Sequence, residues 1–500
     1  MTDPWTAIET AKQPRLTELF EADPDRLSKF SLEEGGLYFD FAKTHLDDGL
    51  LEAFEKLAEA QDLAGKREAL FAGEAVNISE GRAAEHMAQR GQGAPDSVAL
   101  ATSFQARMRA LIEAIGAGAL GDIRHILHLG IGGSALGPDF VIDALARESE
   151  EGLYNVAIVS NVDGAALEGP LSFFEPEHTL LAIASKSFTT SETMLNAEST
   201  LQWMREADVA DPFGQMVALT AAPDRAIAFG IDETRVLPFP ETVGGRYSLW
   251  SSIGFPIAAA LGWGAFERLL EGAAAMDRHF RLADWRQNAP VLAAFADLYY
   301  TQARGAETRA VFAYDERLRL LPDYLQQLEM ESNGKAVTAD GKPLGRPSAP
   351  ITWGGVGTDA QHAVFQLLHQ GTHLVPAEFI AVAEAGDKLD DAHHEQLLVN
   401  CFAQGAALMA GRDNDDPARA FPGDRPSTTI LMEQLDPASL GALIAFYEHR
   451  TFVNAALLGI NPFDQFGVEL GKDIARAIAA DDEEALALDP STLALIERAL

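Results

Sequence analysis

Two short segments combine residue types suited to holding an anion. Gly130-Ile131-Gly132-Gly133-Ser134-Ala135-Leu136-Gly137-Pro138 follows an apolar run and precedes a helical one. Glycines there let the backbone approach a ligand closely, and a helix start presents unpaired N–H groups. The segment also fits a loose dinucleotide fingerprint through Gly130, Gly132 and Ala135. On its own it reads equally well as a tight βα turn and as an anion site. The second segment, Ser185-Lys186-Ser187-Phe188-Thr189-Thr190-Ser191, puts five hydroxyls and one ammonium into seven residues. A dinucleotide has no use for that density. A terminal phosphate does, because its oxygens need several donors and some positive charge. Spare hydroxyls at a helix start are the plainer alternative, and two such loops on neighbouring βα units weigh against it.

Other candidates are single side chains. Arg246 stands behind Gly244 and Gly245 at the head of the uncharged span from Tyr247 to Phe266. Alone it reads as a surface arginine; inside a pocket its fixed charge would suit a developing oxyanion. Glu329 and Glu331 are two apart on a helical pattern, so they point to different faces and only one is easily a buried functional carboxylate. His362 and His369 share a helical stripe, but seven residues is too long for an i, i+4 zinc pair, and no metal is assigned. His369, near a helix end, is the better-placed acid/base. The single cysteine, Cys401, reads as a small buried apolar side chain, consistent with a reducing compartment or with indifference to redox.

The elements that must carry these residues alternate. DIRHILHLG, YNVAIVSN, HTLLAIAS and QMVALT are short apolar runs, each followed by a helical pattern, and the same texture returns with TRAVFAY, ITWGGV and FIAVAEA. Near-continuously apolar strands between helices predict parallel sheets covered on both faces. The expected division is a helical segment over 1–115, α/β domains over 116–283 and 284–453, and a helical arm over 454–500. Tyr247–Phe266 is apolar, but Pro256 and several glycines make it a core helix rather than a membrane span. The polar start, MTDPWTAIETAKQPR, carries no secretory h-region, so a cytoplasmic location is expected. Among the 500 residues, 38 basic against 75 acidic side chains give a formal charge of −37. That balance repels nucleic acid and anionic membranes and fits a small-molecule protein.

The longer motifs resemble one family. GIGGSALGP, SKSFTTSET, VGGRYSLWS, QQLEMESNGK, GTDAQHAVFQLLHQGT and NPFDQFGVELGK, spread in order from Gly130 to Lys472, are similar to those of the phosphoglucose isomerases. Ser187 departs from the family's usual threonine but keeps the hydroxyl. The resemblance implies two sugar-isomerase (SIS) type three-layer αβα domains with helical terminal segments, assembled as a homodimer. It implies interconversion of glucose 6-phosphate and fructose 6-phosphate through an enediolate, with no cofactor and no metal. By the same resemblance, Gly132, Gly133, Ser134, Ser185, Lys186, Ser187 and Thr190 hold the phosphate and Arg246 offsets the enediolate. Glu331 is the base, with Gln327 and Gln465 contacting the ligand. His369, given by the partner subunit in the family, and Lys472 open the sugar ring, and Glu192 supports the histidine.

Those types suit the chemistry. Ring opening needs proton exchange, and one carboxylate can take the C2 proton and return it at C1. A sugar-phosphate sensor would need the loops but neither Glu331, Arg246 nor Lys472. A nicotinamide enzyme would rest on the glycine pattern alone, and a glutamine amidotransferase would need an N-terminal cysteine. Because the implied substrate is a dianion, Lys186, Arg246, Lys472 and two helix starts must outweigh an acidic surface locally.

Overall fold

The computed structural model describes residues 3–146, 154–480 and 488–500. It divides into two units, Met1–Pro462 and Phe463–Leu500, each taken by itself. The strands, all in the first unit, are β1 (Ser31–Glu34), β2 (Leu37–Asp40), β3 (His125–Leu129), β4 (Asn155–Val159), β5 (Thr179–Ala184), β6 (Met216–Thr220), β7 (Val236–Pro238), β8 (Thr308–Tyr314), β9 (Ile351–Val356), β10 (Ala377–Val382) and β11 (Ser427–Met432). They form a parallel sheet in the order β4-β3-β5-β6-β7 and a mixed one in the order β1-β2-β11-β10-β8-β9.

β3, β5 and β6 are buried at every position, as strands covered on both faces must be. The helices used below are α1 (Leu136–Leu145), α2 (Ser191–Glu206), α3 (Trp263–Leu282), α4 (Ala289–Leu298), α5 (Phe365–Gln370), α6 (Asp391–Ala410), α7 (Pro437–Leu458) and, in the second unit, α8 (Glu469–Ala479). Each sheet has its own apolar core, Leu127, Leu181, Ile183 and Met216 in the first and Phe312, Phe365 and Phe379 in the second. Each such side chain contributes roughly 1.5–3 kcal/mol on burial.

Three expectations change. The segment over 1–115 is not helical throughout: Gly35 and Gly36, at φ +61° and +77°, form a two-residue turn. That is the backbone a tight hairpin needs, and β2 then pairs antiparallel with β11. The uncharged span from Tyr247 is not one helix. It is two 3₁₀ turns, Gly245–Trp250 and Ser252–Gly254, and a helix Phe255–Leu261, because Gly254 and Pro256 break the run and Gly262 ends it. The expected boundary at 453/454 falls inside α7.

α7 is buried from Ser439 to Leu458 and packs on α3 and α4. A Cβ on Gly272 would stand 1.8 Å from Ala438 O, and one on Gly441 2.1 Å from Leu269 O. Glycine at those two positions is what lets α3 and α7 touch backbone to backbone.

Candidate active site

β3 pairs with β4 on one side and β5 on the other, so the strand order reverses between β3 and β5. A crevice at the carboxyl ends of such strands is where open α/β sheets bind ligands. Both hydroxyl- and glycine-rich segments leave the sheet there. After β3, Gly132 at φ +58° starts a 3₁₀ turn through Ser134. Burial pushes His128 down to about 4, so the ring is neutral and its Nε2–H donates to Ser134 O at 2.7 Å. After β5, Ser185 Oγ lies 3.0 Å from Thr190 Oγ1, and Ser187 Oγ 2.8 Å from Thr189 Oγ1, with Phe188 at φ +53° between them. Thr190 is the N-cap of α2, and Ser191 begins it. Lys186 Nζ donates to Glu241 O (2.6 Å) and Val243 O (3.0 Å), which leaves one N–H for a ligand. Burial, with Arg82 nearby, pushes this ammonium down to about 8.

The other half of the crevice is built from distant segments. Arg246, 5% exposed, sits in the 3₁₀ turn Gly245–Trp250. Its Nε donates to Ser332 Oγ at 2.6 Å and its Nη2 to Pro462 O at 2.5 Å, while Nη1 stands 3.5 Å from Glu331 Oε2. Glu331 ends a π-helical turn, Gln326–Glu331, and Gln327 Nε2 donates to the same Oε2 at 3.0 Å. π turns of this kind occur frequently at functional sites. The two halves meet closely: a Cβ on Gly132 would stand 2.8 Å from Gln327 Nε2, and one on Gly133 2.1 Å from Gly245 C.

Four further candidates have other surroundings. Glu192, the second residue of α2, accepts from Ser191 Oγ at 2.9 Å. His369, on α5, places its Nε2 2.9 Å from Gln404 Oε1 of α6, and its ring packs edge-on to Phe421. No described hydrogen bond or ion pair joins it to Glu331 or Arg246. Gln465 and Lys472 belong to the second unit, Gln465 preceding the turn Phe466–Val468 and Lys472 on α8. Among the described residues no cluster of three or more His, Cys, Asp or Glu side chains is arranged to hold a metal ion.

A profile of the phosphoglucose isomerase family matches residues 40–496. The chain belongs to that family. It is 69% identical over 496 residues to the glucose-6-phosphate isomerase of Rhizorhabdus wittichii, covering 99% of this chain and 98% of the relative. It is 65% identical over 500 residues to that of Sphingopyxis alaskensis, covering 100% and 99%. The crystal structure of a glucose-6-phosphate isomerase from Chlamydia trachomatis superposes with a TM-score of 0.90 at 32% identity, covering 99% of this chain and 98% of that one. The two helix-covered, parallel-rich sheets are thus the fold of a glucose-6-phosphate isomerase of known structure.

Phosphoglucose isomerase motifs single out Arg246 and Glu331 but not what holds them. Ser332 is one such residue: it accepts from Arg246 and lies 3.0 Å from Tyr247 Oη. Its only sequence signal is its place after Glu331. The Arg246 turn is anchored at its far end as well. Trp250 Nε1 donates to Glu448 Oε1 at 2.8 Å, and Arg90 donates to Asp277 at 2.6 and 2.8 Å, to Glu448 Oε2 at 2.5 Å, and covers the Trp250 ring. Burial opposes the Arg90 charge, but the two carboxylates outweigh it and raise its pKa.

Proposed function

We propose that the protein is a glucose-6-phosphate isomerase, interconverting glucose 6-phosphate and fructose 6-phosphate through ring opening and a cis-enediolate. The observation that carries this reading is the Glu331 carboxylate, aligned by Gln327 at 3.0 Å and facing Arg246 at 3.5 Å, with Gln327 against the glycine loop of the switch point. A base and a fixed cation so close can remove a proton α to a carbonyl and offset the oxyanion that results.

In this reading the substrate phosphate sits among Ser134, Ser185, Lys186, Ser187 and Thr190, with Gly132 and Gly133 giving backbone approach. Holding it there orients the far end of the open-chain sugar toward Glu331. Glu331 takes the C2 proton and returns it at C1, and no redox partner is consumed. Gln327 and Gln465 contact the ligand, and His369, supported by Glu192, and Lys472 move the protons of ring opening. The family likeness supports a homodimer in which His369 of the partner subunit completes each site, and a cytoplasmic enzyme. No helix among the described residues is long and apolar enough to cross a membrane.

The test is Glu331→Gln. It should retain the fold and sugar-phosphate affinity while interconversion falls by at least about three orders of magnitude, within the range general acid–base groups contribute. Turnover within about tenfold of wild type would remove Glu331 as the base.

A further inference from the structure

Glu329, two residues before Glu331, is buried and takes no part in the reaction just described. Its Oε2 accepts from Arg309 Nη2 and, at 2.6 Å, from Thr352 Oγ1. Arg309 and Thr352 are direct partners in the register of β8 and β9, so a cross-strand pair grips one oxygen of the carboxylate. The grip is backed from behind. Arg309 stands 3.5 Å from Asp297 of α4, Arg450 of α7 donates to Asp297 at 2.7 and 3.2 Å, and Arg450 Nη1 reaches Glu378 at 2.7 Å. Beside this cluster is a cavity of about 20 Å³, room for about one water and none for a sugar.

Positions two apart on a helical turn point to opposite sides. Glu329 faces the sheet and Glu331 faces Gln327 and Arg246, so the rotation of the turn about its axis sets both. The turn Gln326–Glu331 is π-helical, a rare geometry that occurs mostly as single turns.

We propose that Glu329 is a positioning residue: clamped by Arg309 and Thr352, it fixes the rotation of the Gln326–Glu331 turn and with it the place of the Glu331 carboxylate. The inference rests on Glu331 being the base. The clamp works through side-chain length. Glu329→Asp keeps the charge but withdraws the carboxylate by about 1.5 Å, one C–C bond. Glu329→Gln keeps the length and an acceptor for both donors, and its NH₂ takes the place of Oε1, which has no hydrogen-bond partner among the described residues.

The experiment measures kcat, KM, thermal midpoint and the affinity for glucitol 6-phosphate, which has no carbonyl to isomerise, in the full-length protein. For Glu329→Asp we expect kcat to fall about 30-fold, since displacements near 1 Å cost up to about 10²-fold, with KM and glucitol 6-phosphate affinity within about twofold. Glu329→Gln should restore kcat to within about threefold of wild type. Thr352→Val, which removes one arm of the clamp, should lower kcat about fivefold at unchanged KM, and it decides the matter if Glu329→Asp does not fold. Wild-type kcat in folded Glu329→Asp, or in Thr352→Val if the aspartate variant is unfolded, overturns the proposal. So does a loss of kcat, affinity and thermal midpoint in step, which a merely structural role would give. Glu331→Gln separates the two readings: if it still turns over, both fail, whereas if it is inactive and Glu329→Asp is fully active, only the positioning role fails.

Discussion

Gly133→Ala isolates the contact between the two halves of the site. Gly133 is outside the left-handed region, so alanine adopts its backbone without strain and the whole effect is steric. The added Cβ would stand 2.1 Å from Gly245 C, 2.2 Å from Gly245 O and 2.5 Å from Arg246 N, where ordinary contact begins at 3.4 Å. All three atoms are backbone, so no side chain can swing away. Either the half-buried Gly132–Ser134 turn or the Gly245–Arg246 peptide must retreat by about 1 Å, since the clash is between backbones. A misplacement of that size costs about 10²-fold in rate, or about 2.7 kcal/mol of transition-state stabilisation. The assay is fructose 6-phosphate turnover coupled to a glucose-6-phosphate dehydrogenase. Gly245→Ala is the control, since a Cβ there would meet nothing within 4 Å, and it should stay within about fivefold of wild type. Gly133→Ala within about threefold of wild type, or Gly245→Ala falling as far as Gly133→Ala, would mean that this backbone contact does not set the spacing of the site.

Two other predictions concern charge. Burial holds the Lys186 pKa down to about 8, so its positive charge is present below that pH and lost as pH rises through it. KM for the sugar phosphate should therefore climb through about pH 8 while kcat changes little. Lys186→Arg, which stays charged, should flatten the climb, and equal slopes in the two proteins would show that Lys186 does not meet the phosphate. Arg90→Met leaves Asp277 and Glu448 buried without their cation. Urea unfolding should show a loss of about 3–5 kcal/mol, as for other broken buried pairs; a loss below about 1 kcal/mol would mean that the carboxylates do not depend on Arg90.

The parts of the site that lie within a few residues of each other were legible in the sequence. The glycine loop after β3, the hydroxyl loop after β5 and the apolar strands feeding them are local patterns, and they gave the α/β class without any likeness to known proteins. Arg246 shows the limit. Its neighbours in sequence read as a surface position, yet it is buried against Ser332 and Pro462, 86 and 216 residues away. The buried ion clusters fail to announce themselves for the same reason: Arg90 and Glu448 are separated by 358 residues, and each alone looks like a solvated charge. The β1–β2 hairpin is different. Gly35-Gly36 between two short alternating runs is a hairpin signal, masked by helical patterns on either side. The π turn has no such signal, because its register comes from what packs against it.

α7 carries Glu448, His449 and Arg450 in succession, all buried. Glu448 holds the far end of the turn that bears Arg246, and Arg450 backs the cluster that grips Glu329 beside Glu331. One rod at the centre of the first unit is thus the common reference for both poles of the proposed reaction. Small motions that carry α7 along carry acid–base pole and cationic pole together and preserve their spacing. The loops after β3 and β5, proposed to hold the phosphate, leave the other sheet. The places of the phosphate and of the base are therefore set by different parts of the same chain.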